Sequence, residues 1–63
     1  MNIVLGDHRV SVEEIASYYL NLPDITKPEL IVILRSGALI YPTNPMRNLL
    51  KLDKLFKIKP EDL

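Results

Sequence analysis

The sequence predicts a mostly α domain of about three helices with one or two short β-strands, a small helix-turn-helix-like architecture. Two Ser/Thr-x-x-Glu spacings, Ser11 to Glu14 and Thr26 to Glu29, have the form of capping boxes, in which hydroxyl and carboxylate each satisfy a free backbone N–H at a helix start. A third start is written at Thr43-Asn44-Pro45, where proline falls at the first helical position. Asn21-Leu22-Pro23-Asp24 separates the first two, because proline cannot continue a helix and Asn and Asp favour turns.

Size and composition set the frame for these elements. The 63 residues suit a single domain, residues 1–63, and a chain this short buries only about 60% of its unfolded surface, so its stability is marginal. A hydrophobic fraction of 48% is generous at that size, and self-association is the simplest outlet for it. Cysteine is absent, which excludes a disulfide framework and a thiolate metal site. The longest apolar runs are about five residues against the roughly 20 needed to cross a bilayer. The N-terminal residues also lack the pattern of a signal peptide. A cytoplasmic protein with no membrane partner is expected. Eight basic residues balance eight acidic ones, so no global positive field draws the chain to nucleic acid.

Taken in order, Asn2 to Leu5 reads as a short strand, Gly6-Asp7 as a turn, and His8 to Val10 as a return strand. His8 is the sole histidine and has no second ligand or nucleophile spaced near it, which makes it a surface residue. From Ser11 an amphipathic helix is expected, with Val12, Ile15, Ala16, Tyr18 and Tyr19 on its buried side and Glu13, Glu14 and Ser17 opposite.

The stretch Thr26 to Gly37, TKPELIVILRSG, is the most apolar of the chain and admits two readings. Its capping box, Pro28 in the first turn and Gly37 at the end favour a helix. The β-rich run Ile31-Val32-Ile33, with Ser36-Gly37 as a turn and Ala38 to Tyr41 as a return strand, favours a hairpin. Start and stop signals together favour the helix, whose core face would be Leu30, Ile33 and Leu34. Ile31 and Val32 would nonetheless leave that helix apolar nearly all round, so it would need cover on more than one side.

Leu39-Ile40-Tyr41 reads as a strand ended by Pro42, and the last helix is expected from Pro45 to about Lys57. Its residues Met46, Leu49, Leu50, Leu52, Leu55 and Phe56 span an arc of roughly 220°, about twice the usual stripe. A homodimer interface at Leu49, Leu52, Leu55 and Phe56 follows, with Asp53 at its rim or paired across it. Arg47, Lys51 and Lys54 occupy the remaining arc.

The segments SVEEIASYY, TKPELIVILRSGAL and FKIKPEDL resemble the excisionase-type, MerR-like winged helix-turn-helix domain, over about half the chain. The family's T-x-E-E-x-A helix, R-x-G-x-L motif and I-x-P-E-D-L-like ending are matched by Ser11, Glu13, Glu14 and Ala16, by Arg35, Gly37 and Leu39, and by Ile58, Pro60, Glu61, Asp62 and Leu63. The resemblance implies DNA binding and transcription regulation, in a viral or mobile-element protein. Lys27, Arg35, Arg47, Lys51 and Lys54 would then contact phosphates. Two departures stand against it. Where that family's recognition helix carries polar or basic residues, this chain has Ile31 and Val32, which cannot donate to base edges. A leucine-rich stretch also replaces the wing.

Two functions are therefore expected. The first is a non-enzymatic, homodimeric DNA-binding regulator. The alternative is a protein-interaction module, of the phage- or plasmid-type accessory kind, that binds itself or a host protein through apolar helices. No nucleophile, base and stabiliser set is written in the sequence, so neither catalysis, cofactor nor metal is expected.

Overall fold

A computed structural model describes residues 1–23 and 26–56, and over these the chain is mainly β. Strands β1 (Asn2–Leu5) and β2 (His8–Ser11) form one hairpin. A 3-10 turn at Val12–Glu14 leads into β3 (Ile15–Asn21), which forms an antiparallel meander with β4 (Glu29–Leu34) and β5 (Leu39–Ile40). The single α-helix, α1 (Pro45–Leu55), follows. A three-helix, helix-turn-helix-like fold is therefore not what this sequence forms.

Both capping boxes were misleading, each for a physical reason. At the first, the Ser11 hydroxyl makes no backbone cap; it donates to Glu13 Oε2 at 3.3 Å, while Glu13 Oε1 accepts from the N-terminal ammonium at 2.8 Å. With the Ser11 hydroxyl diverted from the backbone, the expected helix stops after one 3-10 turn. Ile15, Tyr18 and Tyr19, all good strand formers, continue as β3. At the second, Glu29 opens β4 instead of a helix. A helix built from ELIVIL would need cover all round, which a chain this small cannot supply, whereas a strand has only two faces to cover.

The hairpin reading of residues 29–41 is the one realised. Gly37, at φ +93, donates its N–H to Leu34 O, and Leu34 N–H donates to Ala38 O, both at 2.9 Å. The expected strand at Leu39 to Tyr41 forms over Leu39–Ile40. The expected start of the last helix at Pro45 also holds. Its cap differs: Asn44 is left-handed (φ 52) with no capping side chain, and the Asn48 amide instead donates to Thr43 O at 2.6 Å and Asn44 O at 3.1 Å. Lys57, the expected helix end, and the matched ending Ile58 to Leu63 lie outside the described residues.

Strand alternation sorts the meander into two faces. Rows Tyr18–Val32–Ile40 and Leu20–Leu30 face α1. There Leu30 and Val32 join Leu5, Ile15 and Leu52 in one buried cluster, against which Ile3, Val10, Tyr18, Leu34, Ile40 and Leu49 pack. Gly6 (φ +61) brings the β1–β2 turn directly against the entry to α1. A Cβ there would meet the Thr43 hydroxyl and lie 2.7 Å from both the Thr43 backbone nitrogen and oxygen.

Candidate interaction surface

The face of the meander turned away from α1 carries the rows Ser17–Ile33–Leu39 and Tyr19–Ile31. Continuing the β4–β5 register by one residue places Tyr41 in line with Ile31, and alternation puts it on this face. An antiparallel sheet with one covered face ordinarily alternates apolar-in with polar-out. Here the central strand is apolar on both sides, and none of Ser17, Tyr19, Ile31, Ile33, Leu39 and Tyr41 is charged. Ile31 is only 6% exposed although it stands outside the core cluster, because it sits between Tyr19 and Tyr41 in the middle of the sheet. The flanking side chains stay open: Tyr19 is 50%, Leu39 50% and Tyr41 53% exposed. The polar pair Asn21–Glu29 closes one end. An apolar centre with a polar border is the anatomy of a protein-binding patch.

Beside this face, β3 is the end strand of its sheet. A groove of about 550 Å³ runs along it, lined by Ile15, Ala16, Ser17 and Tyr18 from the strand and by Asp53 and Phe56. The Tyr18 hydroxyl donates to Asp53 Oδ1 at 2.7 Å, and the Tyr18 and Phe56 rings are 6.0 Å apart. Burial first, and then the hydrogen bond to Asp53 and its charge, raise the Tyr18 phenol well above its usual range. The pair holds a proton in place and ties β3 to α1. Asp53 thus finds its partner inside its own chain, not across a dimer.

The residues expected at a helical dimer interface are distributed differently. Leu52 is fully buried and Leu49 packs on the same core, so both are used within the chain. Leu55 is half-buried, and Phe56 is exposed at the rim of the groove. Sheet and hairpin thus take up only part of the broad apolar arc of α1, at Leu49 and Leu52. Met46 and Leu50 remain exposed on its far side.

The five basic residues expected to contact phosphate do not share a recognition helix, since the segment matched to that helix is β4. Lys27 lies in the β3–β4 connection. Arg35 follows β4 and donates its Nε to Glu13 O at 2.8 Å. Lys51 Nζ donates to Val4 O at 2.7 Å, which ties α1 to the first hairpin. Lys51 also lines, with Arg47, a small polar notch of about 180 Å³. Lys54 lies in the last turn of α1, where a cation suits the helix dipole.

The residues of this face that the sequence reading did not single out as surface are Tyr19, Ile33, Leu39 and Tyr41. Their signal was present in the uninterrupted apolar run of β4. Among the described residues no helix is long and apolar enough to cross a membrane. No protein-family model matches the chain, and no curated protein or solved structure proved similar to it.

Proposed function

We propose that this chain is a non-enzymatic protein-interaction module that presents the uncovered face of the β3–β4–β5 sheet to a protein partner. The observation that carries this reading is the central strand, apolar on both sides while α1 covers only one. Tyr19, Leu39 and Tyr41 are left half exposed around Ile31. Tyrosine suits such a role, since it offers a large, rigid contact area at small entropic cost. The Tyr18–Asp53 pair favours a structural over a catalytic use of the neighbouring groove, because its environment holds the phenol protonated and so neither nucleophilic nor basic. Of the two functions the sequence suggested, this proposal takes up the interaction module, with a sheet face in place of the apolar helices.

The test is site-specific photocrosslinking in cells. A benzophenone side chain at position 39 is expected to give a discrete protein adduct, while the same group at position 50, on the far side of α1, gives none. Absence of any adduct from position 39 would overturn the reading.

A further inference from the structure

We infer that the partner on this face is a second copy of the same chain, two meanders packing face to face about a two-fold axis with the α1 helices outermost. The inference rests on the interaction reading above and names its occupant. Three observations favour a self-partner.

Charge is the first. Packing a surface on its own copy places like beside like, and any charged position near the axis would repel its mate. The positions Ser17, Tyr19, Ile31, Ile33, Leu39 and Tyr41 carry none, and the chain's net charge is zero. A charged partner would find only Glu29, at one end of the face, to pair with.

Shape is the second. Two-layer packing of antiparallel sheets is an ordinary arrangement, with strands crossing at about 30° and side chains interdigitating across about 10 Å. The exposed Tyr19 and Tyr41 stand on either side of the sunken Ile31. A copy laid across the face can set a tyrosine ring beside each aliphatic row.

Area is the third. The open halves of Tyr19 and Tyr41 offer about 100 Å² each, given that an aromatic side chain buries about 150–250 Å². With Leu39, Ile33 and the polar ends, each copy supplies roughly 500–600 Å². That is the low end for a specific interface, where total burial is about 1,200 Å². The dimer is accordingly reversible, with a dissociation constant on the order of ten micromolar, rather than obligate.

Sedimentation equilibrium of the purified full chain, from about 1 to 500 µM, tests this. The wild type should move from one chain mass toward twice that mass across the range. Leu39→Lys and Tyr19→Lys, both at half-exposed positions, should stay monomeric with an unchanged far-UV circular dichroism spectrum, and Leu50→Lys should dimerise like the wild type. A wild type still monomeric at 500 µM would overturn the inference, as would dissociation by Leu50→Lys in place of Leu39→Lys, which would put the contact on the helix. Failure of this inference is distinguishable from failure of the functional reading. A monomeric purified protein that still gives a heterologous adduct from position 39 in cells removes the self-partner and keeps the interaction module. No adduct at all removes both.

Discussion

Replacing Leu52 by alanine should cost this protein most of its stability, whereas the same change two residues earlier, at Leu50, should cost almost nothing. Leu52 is fully buried and shares one core cluster with Leu5, Ile15, Leu30 and Val32, so this side chain of α1 belongs to the core that the strands build. Removing its three outer carbons forfeits about 2.4 kcal/mol at roughly 0.8 kcal/mol per methylene. The strands around it are tied by their own backbone ladders and cannot close the void fully, which adds about 1 kcal/mol for the cavity. The expected loss is about 3–4 kcal/mol. A chain of 63 residues has a total of roughly 3–9 kcal/mol to lose. Leu50 is 66% exposed, and Leu50→Ala should stay within about 0.5 kcal/mol of wild type. Urea unfolding followed by far-UV circular dichroism at a few micromolar, below the dimerisation range, measures both. If Leu52→Ala fell within 1 kcal/mol of wild type, or lost less than Leu50→Ala, α1 would be packed through a different face and the core assignment would fail.

Four further substitutions follow from the same structure. Gly6→Ala must place a Cβ 2.7 Å from Thr43 backbone atoms in a left-handed conformation, and should cost about 3 kcal/mol or more. Gly37→Ala meets only the left-handed backbone penalty, about 1–2 kcal/mol, because nothing lies within 4 Å; parallel urea titrations separate the two. Asn48→Ala removes both donors to the Thr43 and Asn44 carbonyls from a buried position and should cost about 1–3 kcal/mol, lowering the melting temperature without changing the far-UV spectrum. Tyr18 has its phenol pKa raised in the folded state, so its contribution is fully present below the unfolded value of 10.0 and is lost as pH rises above it. Melting temperature should therefore fall between about pH 10 and 12 in the wild type and fall less in Tyr18→Phe.

Local chemistry made part of this fold legible and hid the rest. The first hairpin was readable because Gly6 supplies the turn's positive φ directly after the apolar run Ile3 to Leu5, with Val10 in the return strand. The start of α1 was readable because Pro45 suits only the first helical position. Gly37 was correctly seen as needing a left-handed backbone, but that requirement is shared by helix ends and hairpin turns and does not tell them apart. The capping boxes failed because their pattern records spacing and not competition. At the first box the Ser11 hydroxyl found a competing acceptor in Glu13, a carboxylate outside the box whose other oxygen pairs with the N-terminal ammonium, which also lowers its pKa; that pairing exists only once β1 and β2 bring Met1 to the far end of the hairpin. The Tyr18–Asp53 contact spans 35 residues and was likewise invisible to any local rule.

The candidate surface was more legible than the fold that creates it. Ile31 and Val32 were the residues that made a helix over Thr26 to Gly37 awkward, since they left it without a polar side. In β4 the same two residues point to opposite faces: Val32 goes into the core beneath α1, and Ile31 goes outward between Tyr19 and Tyr41. Making the segment a strand thus halves the need for cover without removing it. The core satisfies Val32. Ile31 lies beside Tyr19 in the register, and Tyr19 and Tyr41 remain half in water; burying their open halves would be worth about 25 cal/mol for each Å² removed from solvent. With about 100 Å² open on each ring, that is roughly 5 kcal/mol for the two rings of each copy before association entropy, enough to drive a weak dimer and too little for a permanent one. The polarity pattern that argued against a helix therefore also argues for a partner. On the proposal made above, that partner would meet the side of the sheet opposite α1, in place of the helix where an apolar arc alone would put it.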